Sequence, residues 1–397
     1  MNRTFVPFDQ SYRVPVDIHV SRGVRVGDHL FTCGQLDMDG EGRPQHAREL
    51  LPQTARAMEL LYDVMEEAGA RPEDMAHLHV FYRNDGGVDE DDYARRLDGF
   101  LRGTLRPLTV LTPIASFPSV GLEVEIDAIA VCGTGARSEV VDDRGRLSGL
   151  RRGESIFASA TVPREPSGGI AHRGDLARQT AAVTAGLEQT LKALSADLGD
   201  VVKLTVYTAP GFDAAAVAES RRVLAAAFAE PGPVYTEAPL PRLAFPGEGI
   251  RVEATALRGT DGRRLPRQYL GQRDHWSWPS PSPYSQAIRS GRLVFVGAQL
   301  PVDRDGRVRH PNDIAAQTHA TMAHLRAALG ALGAGLEHMA KVNAYFAASW
   351  DLEKWKTNVG IRSTYYAAPG PASTGIEVPQ LVPDGALIEV DCVAVLP

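Results

Sequence analysis

Apolar and polar positions in this chain follow one pattern that is written three times. At 124–131 and 388–395 the sequence reads VEIDAIAV and IEVDCVAV, with apolar Val124, Ile126, Ala128 and Ile388, Val390, Cys392 at every second position. A period of two is that of a strand with one packed face. The other face carries Glu125, Asp127, Ile129 and Glu389, Asp391, Val393, too apolar for open water and too charged for a plain core. IRVEATAL at 250–257 is the remaining copy, with Arg251 where the others have glutamate. Upstream of each, a Gln-Thr pair (Gln53-Thr54, Gln179-Thr180, Gln317-Thr318) opens an Ala/Leu-rich stretch. In Ile314 to Ala331 the residues Ile314, Met322, Leu325 and Leu329 share one face, which predicts a helix.

Four landmarks keep register through the copies. They are a small residue ending an apolar strand (Cys33, Ser159, Gly297), the glutamine itself, an aromatic in the next strand (Phe81, Tyr207, Tyr345) and the charged residue of the closing strand (Glu125, Arg251, Glu389). Self-similarity at fixed spacing marks a triplication. The third copy predicts a strand at Leu293–Val296, a turn at Asp303–Gly306, the helix, a strand at Lys341–Phe346 and a second helix near Leu352–Tyr366. Pro369 and Pro371 stop that helix before two closing strands. The glutamines are expected to bond backbone at the helix starts. Helices segregated from a mainly antiparallel sheet make an α+β class. The divisions are 1–137, 138–258, a linker at 259–280, and 281–397. Each sheet has one face under its own helices and one bare, and three sheets meeting around a threefold axis would cover the bare faces. A single repeat would achieve this as a homotrimer.

Composition narrows the function classes. The chain has 397 residues, too many for one ordinary core, and a formal charge of −7 without a massed basic face, which argues against nucleic acid as partner. Three cysteines (Cys33, Cys132, Cys392) without CxxC spacing encode neither a disulfide framework nor a zinc site. The N-terminus lacks a signal-peptide core and no window is apolar enough to cross a membrane, so a cytoplasmic protein is expected, with no membrane partner. His77 and His79 share a strand face, a spacing metals accept, but no third ligand lies near them in sequence. His319 and His324 fall on different helix faces, and Ser167 to Gly174 lacks the strand-glycine-helix order of a phosphate loop. The stretch from Arg258 to Pro281 carries Tyr269, His275, Trp276 and Trp278, and either lids an inter-repeat cleft or staples the linker down.

The third copy, with PSPYSQAIRSGRLVFVGAQLPVD, DIAAQTHATMAHLRAALGALGAGLEHMAKVNAYF and GPASTGIEVPQLVPDGALIEVDCVAV, resembles the reactive intermediate deaminase (Rid, YjgF-like) family along its length. The first copy is similar through FTCGQLDMDGEG, QTARAMELLYDVMEEAGA and VEIDAIAV, and the second through SIFASATVP, QTAAVTAGLEQTLKALSADLGDVVKLTVYT and IRVEATAL. The resemblance implies three chorismate-mutase-like domains forming an intramolecular pseudo-trimer around a central β-barrel, with ligand clefts between repeats. It leaves further oligomerisation of the whole chain open.

It also implies cofactor-free hydrolysis of enamines and imines to carbonyl compounds and ammonia. Carried over residue by residue, Tyr284 matches the family tyrosine, Gly297-Ala298-Gln299 and Cys33-Gly34 the small turn, and Glu389 and Glu125 the catalytic glutamate. The family's carboxylate-clamping arginine has no counterpart: Ser373 and Thr374 follow Pro371-Ala372, Thr109 stands in the first copy, and the second reads Pro233-Val234-Tyr235-Thr236-Glu237. Arg251 is either an ion-pair partner or an imported anion clamp, and Glu125 and Glu389 either bind ligand or pair across an interface. Tyr284 is a site or interface residue, Ser373 and Thr374 are turn residues or oxygen-binding donors, and Cys33 is a buried thiol or a nucleophile. The third copy is expected to supply the working cleft, from Tyr284, Ala298, Ser373 and Glu389. Three function classes remain: a hydrolase or deaminase of a small imine, enamine or related metabolite; another reaction in specialised metabolism, such as tautomerisation, hydrolysis or cyclisation; or a non-catalytic metabolite binder.

Overall fold

The structure is a computed structural model that describes residues 3–8, 18–117, 119–133, 135–277, 282–347 and 351–397. Repeat 1 contains β1 (Arg3–Val6), β2 (Gly23–Val26), β3 (His29–Thr32), α1 (Leu50–Glu67), β4 (Met75–Arg83), α2 (Glu90–Asp98), β5 (Leu108–Ile114) and β6 (Val124–Val131). Repeat 2 contains β7 (Arg137–Val141), β8 (Leu147–Arg152), β9 (Ser155–Thr161), α3 (Leu176–Ala193), β10 (Val201–Thr208), α4 (Ala214–Ala225), β11 (Val234–Pro239) and β12 (Ile250–Leu257). Repeat 3 contains β13 (Gln268–Leu270), β14 (Ala287–Ser290), β15 (Leu293–Gln299), α5 (Ile314–Ala331), β16 (Met339–Phe346), α6 (Leu352–Thr364), β17 (Ala372–Glu377) and β18 (Ile388–Val395).

Each repeat is a six-stranded sheet of one order, β1-β2-β3-β6-β4-β5 in the first and its equivalents in the others. The closing strand is paired on both sides, which explains why all its residues are buried except Ile129, Glu253 and Thr255, which are half-buried. One pair per sheet is parallel, β4 with β5, β10 with β11 and β16 with β17, because the second helix crosses over between them. The linker also differs from a plain connection: its segment β13 pairs with β14 as the edge strand of repeat 3.

The Gln-Thr pair has a repeated role. Gln53 Nε2 donates to the carbonyls of His46 and Gly121 at 2.8 and 2.7 Å, while its Oε1 accepts the Glu123 N–H at 2.7 Å. Gln179 and Gln317 make the same three bonds in their repeats. Each buried amide therefore satisfies backbone of both the loop entering the first helix and the loop entering the closing strand. An apolar residue there would strand those groups.

The helix-covered faces form one core per repeat. The opposite faces form shared cores, one of which takes Phe81, Tyr207 and Tyr345, the aromatic landmark of every repeat. Another combines Phe31, Val202 and Phe295. β5 lies against β8 and β9, β11 against β15, and β2 and β3 against β16 and β17, so each repeat touches both others. Arg3 fastens one of these joints, donating to the backbone carbonyls of Glu337, His338, Met339 and Val395 of repeat 3. Trp276 is fully buried in the shared core, its Nε1–H donating to Gln299 at 3.1 Å, which staples the linker to repeat 3. Trp278 lies outside the described residues.

Candidate functional site

The closing strands aim their acidic faces at the joints between repeats, and each joint holds a different set of residues. Between repeats 3 and 1, Lys341 Nζ donates to Asp127 at 2.9 Å, to Thr374 Oγ1 at 2.6 Å and to the Thr32 carbonyl at 2.8 Å. Thr374 in turn donates to Asp127 at 2.7 Å, so its hydroxyl is occupied internally. Glu125 sits beside them, 6% exposed, against Gly34, where a Cβ would overlap its carboxyl. Burial first, and the Asp127 charge second, push its carboxyl up to about 8, against the smaller opposing pull of Lys341 and the Gly375 N–H. Ser373 Oγ lies 3.5 Å from Arg362, whose Nε is tied to Asn358 at 2.6 Å. Cys33 is buried, with Gln35 Nε2 at 3.1 Å from its sulfur.

Between repeats 2 and 3 the same frame carries Lys203 and Thr236 on Asp391 at 2.6 and 3.0 Å. Glu389 is 1% exposed, and its Oε1 has no hydrogen-bond partner among the described residues. Burial, then Asp391 and Glu237, raise its carboxyl well above the ordinary range, against the opposing pull of Lys203. Tyr284 stacks on Tyr235 of repeat 2 with centroids 4.3 Å apart and an 11° interplanar angle, and its buried hydroxyl also has no partner among the described residues. Tyr235 donates to Glu237 at 2.8 Å, and Arg221 grips Glu237 with Nε and Nη2 at 2.9 and 2.8 Å. Gly297 is required here: a Cβ would stand 2.9 Å from the backbone N and O of Tyr235. Ala298 is buried, and Gln299 is spent on Gln286, Gly297 and Trp276.

Between repeats 1 and 2 the acid position belongs to Arg251. Its Nε and Nη2 donate to Glu248 at 2.6 and 2.9 Å, and its Nη1 to Glu90 at 2.9 Å and the Leu111 carbonyl at 3.0 Å. With these donors engaged, Arg251 is the buried centre of an ion triad and not a free anion clamp. His77, in the place Lys341 and Lys203 take elsewhere, faces Glu253 at 3.2 Å, and His79 faces it at 3.5 Å. This joint opens into a cleft of about 530 Å³ whose walls include Thr109, Ser159, Arg144 and Arg164.

The expected cleft of Tyr284, Ala298, Ser373 and Glu389 is not one cleft. Tyr284, Gly297 and Glu389 meet repeat 2, whereas on β17 Thr374 bonds Asp127 and the Gly375 N–H meets Glu125 of repeat 1, and Ser373 lies beside Arg362 of its own repeat. The reason is geometric: β17 and β18 flank β16 on opposite sides, so they reach different neighbours. Tyr235, Glu237 and Arg221 went unselected in the sequence. The signal was available, since Tyr235 occupies the register position of Ser373 and Thr109, each directly opposite its strand partner (Leu204, Val342, Leu78).

The model of the family described as Endoribonuclease L-PSP matches three times, over 14–132, 146–258 and 277–396. A RutC family protein of Pyrococcus abyssi is 34% identical over 117 residues, 29% of this chain and 89% of that protein. Reactive Intermediate Deaminase A, chloroplastic, of Arabidopsis thaliana is 32% identical over 114 residues, 29% of this chain and 59% of that protein. Among solved structures, a chorismatase is 15% identical with a TM-score of 0.54, covering 81% of this chain and 93% of its own. That likeness is one of fold, and it runs across repeat boundaries.

Proposed function

Because the chain belongs to the Endoribonuclease L-PSP (Rid, YjgF-like) family as three tandem repeats, we propose that it hydrolyses a small imine, enamine or related metabolite in the joint between repeats 2 and 3. The observation that carries the reading is the pair of buried polar atoms there without partners among the described residues, Glu389 Oε1 and the Tyr284 hydroxyl. Buried polar groups are normally satisfied, and two at one joint fit a small polar ligand between them. Glu389, whose protonated form burial favours, delivers its proton to the imine nitrogen as water attacks the carbon, and the resulting carboxylate takes the proton water gives up. A second relay through the same carboxyl moves a proton from the new hydroxyl to the amine, which leaves as ammonia with formation of the carbonyl. Tyr284 orients the substrate. Arg221, held edge-on by Glu237, supplies positive charge from α4 where the family supplies it from the strand.

The proposal includes a compact pseudo-trimer in which the three sheets close into a barrel. It is supported by the reciprocal contacts between repeats and by a central cavity whose lining includes His77, Lys203 and Lys341, one from each repeat. Small-angle scattering of the intact chain should give a compact particle, and an extended profile rejects the barrel. Ammonia release from 2-iminopropionate or 2-aminoacrylate tests the activity. Turnover should be lost in Glu389→Gln and reduced in Tyr284→Phe. No acceleration by the wild-type chain, or full activity in Glu389→Gln, refutes it.

A further inference from the structure

At the end of the joint between repeats 1 and 2, away from Glu389, three side chains form a relay that the imine chemistry does not use. His29 Nδ1 lies 2.8 Å from Asp28 Oδ1, and His29 Nε2 lies 3.0 Å from Ser155 Oγ. The hydrogen bond from His29, ahead of the opposing effect of partial burial, holds the Asp28 carboxyl below its ordinary value, so it is ionised at neutral pH. An ionised carboxylate only accepts, so the proton of a neutral ring sits on Nδ1 and Nε2 is left as the acceptor of the serine hydroxyl. That is the order of roles by which a base activates an alcohol nucleophile. The ring is further oriented by stacking on Phe31 at 6.1 Å and 12°.

A fourth group stands on the same face. Arg152 is the directly paired residue of Ser155 across the β8–β9 hairpin, so both side chains leave the sheet on one side. Asp74 and the Gly133 carbonyl take its Nη2, while its Nε is buried with no hydrogen-bond partner among the described residues. Asp28, His29, Arg152 and Ser155 all line one cavity of about 680 Å³, whose apolar walls include Leu257, Leu265, Leu293 and Val395. The repeat equivalents break the set: the positions matching His29 and Ser155 are Ser155 and Leu293 in the next repeats, so among the described residues only this joint carries a histidine opposite a serine at these positions.

We propose that Ser155, His29, Asp28 and Arg152 form a second catalytic site, which hydrolyses esters of small, largely apolar carboxylic acids. Ser155 Oγ attacks the ester carbonyl and passes its proton to His29 Nε2, while the Arg152 N–H meets the oxyanion. Collapse expels the alcohol, which leaves with the proton from His29. Water then attacks the acyl-serine, giving its proton to His29, and the acid departs as that proton returns to Ser155 Oγ. Asp28 stays ionised throughout and holds the ring.

The test uses the intact chain with p-nitrophenyl acetate and p-nitrophenyl butyrate as probes, together with a fluorophosphonate and mass spectrometry of the adduct. The expected result is saturable p-nitrophenol release and a single adduct on Ser155. Ser155→Ala and His29→Gln should each lower kcat by at least about a hundredfold, and Asp28→Asn by about tenfold or more. Ammonia release from 2-iminopropionate should be untouched by Ser155→Ala, which separates this site from the one between repeats 2 and 3. Ser155→Cys guards against a folding artefact, since a thiol in the same place should become alkylated by iodoacetamide faster than Cys132. Absence of a Ser155 adduct in wild type, or ester turnover unchanged in Ser155→Ala, overturns the proposal.

Discussion

Replacing Glu125 by glutamine isolates what burial does to the acid between repeats 3 and 1. Its carboxyl lies at about 8 in the folded chain against 4.5 when free. The folded state therefore binds a proton that the unfolded state has lost between those values, and stability falls as pH rises from about 4.5 to 8, then levels off. Three and a half pK units at 1.36 kcal/mol each set a ceiling near 5 kcal/mol, and water entering the joint reduces this to about 2–5 kcal/mol. The amide of Glu125→Gln keeps the volume and has no charge to desolvate. Urea unfolding of both proteins at pH 5 and pH 9 should then give curves that nearly coincide at pH 5, with the variant more stable by about that amount at pH 9. If the two proteins lose the same stability between pH 5 and pH 9, Glu125 is not the titrating group and the argument for a protonated acid at this joint fails.

Arg251→Met should cost about 3–5 kcal/mol, because it leaves Glu90 and Glu248 buried without their cation; adding Glu90→Gln and Glu248→Gln should recover much of it in chemical denaturation. Gly297→Ala should weaken the contact between repeats 2 and 3 by about 1–3 kcal/mol, since the methyl meets the backbone of Tyr235, which cannot swing aside; faster amide exchange along β11 and β15 would report it. Trp276→Ala should destabilise by about 3–5 kcal/mol through the cavity it opens, and a melting temperature equal to wild type would contradict its placement in the shared core.

The repeats were legible because their signals are local. Strand alternation, the Gln-Thr pair and the proline stops all act within one repeat, and α5 spans Ile314–Ala331 as its apolar face implies. The joints were not legible, because which strand faces which neighbour depends on sheet order. Thr374 and Glu389 are near in sequence pattern yet serve different joints, with β16 between their strands. Asp28 and His29 carry no motif, and Ser155 becomes their partner only when the hairpin of repeat 2 closes on repeat 1. Trp276 sits in a Pro-rich linker that reads as surface, and its burial is decided by a hole in the shared core.

The order of the repeats is itself encoded at these joints. One acid at the same register position of each closing strand is met by a base from a single neighbour: Asp127 of repeat 1 by Lys341 of repeat 3, Asp391 of repeat 3 by Lys203 of repeat 2, and Glu253 of repeat 2 by His77 of repeat 1. The first two pairs join a short acid to a long base. The third joins an acid one methylene longer to a base with a shorter reach, so the span across the joint is kept while the chemistry changes. A repeat set in the wrong place would bring Lys against Glu in a space cut for Asp, or His against Asp across a gap, and either mismatch leaves a buried charge poorly paired. Identical subunits cannot make this distinction, since all their joints are alike. A fused chain can, and the joint that exchanged lysine for histidine is the one that also exchanged the glutamate for Arg251, so these two positions diverged at the same joint.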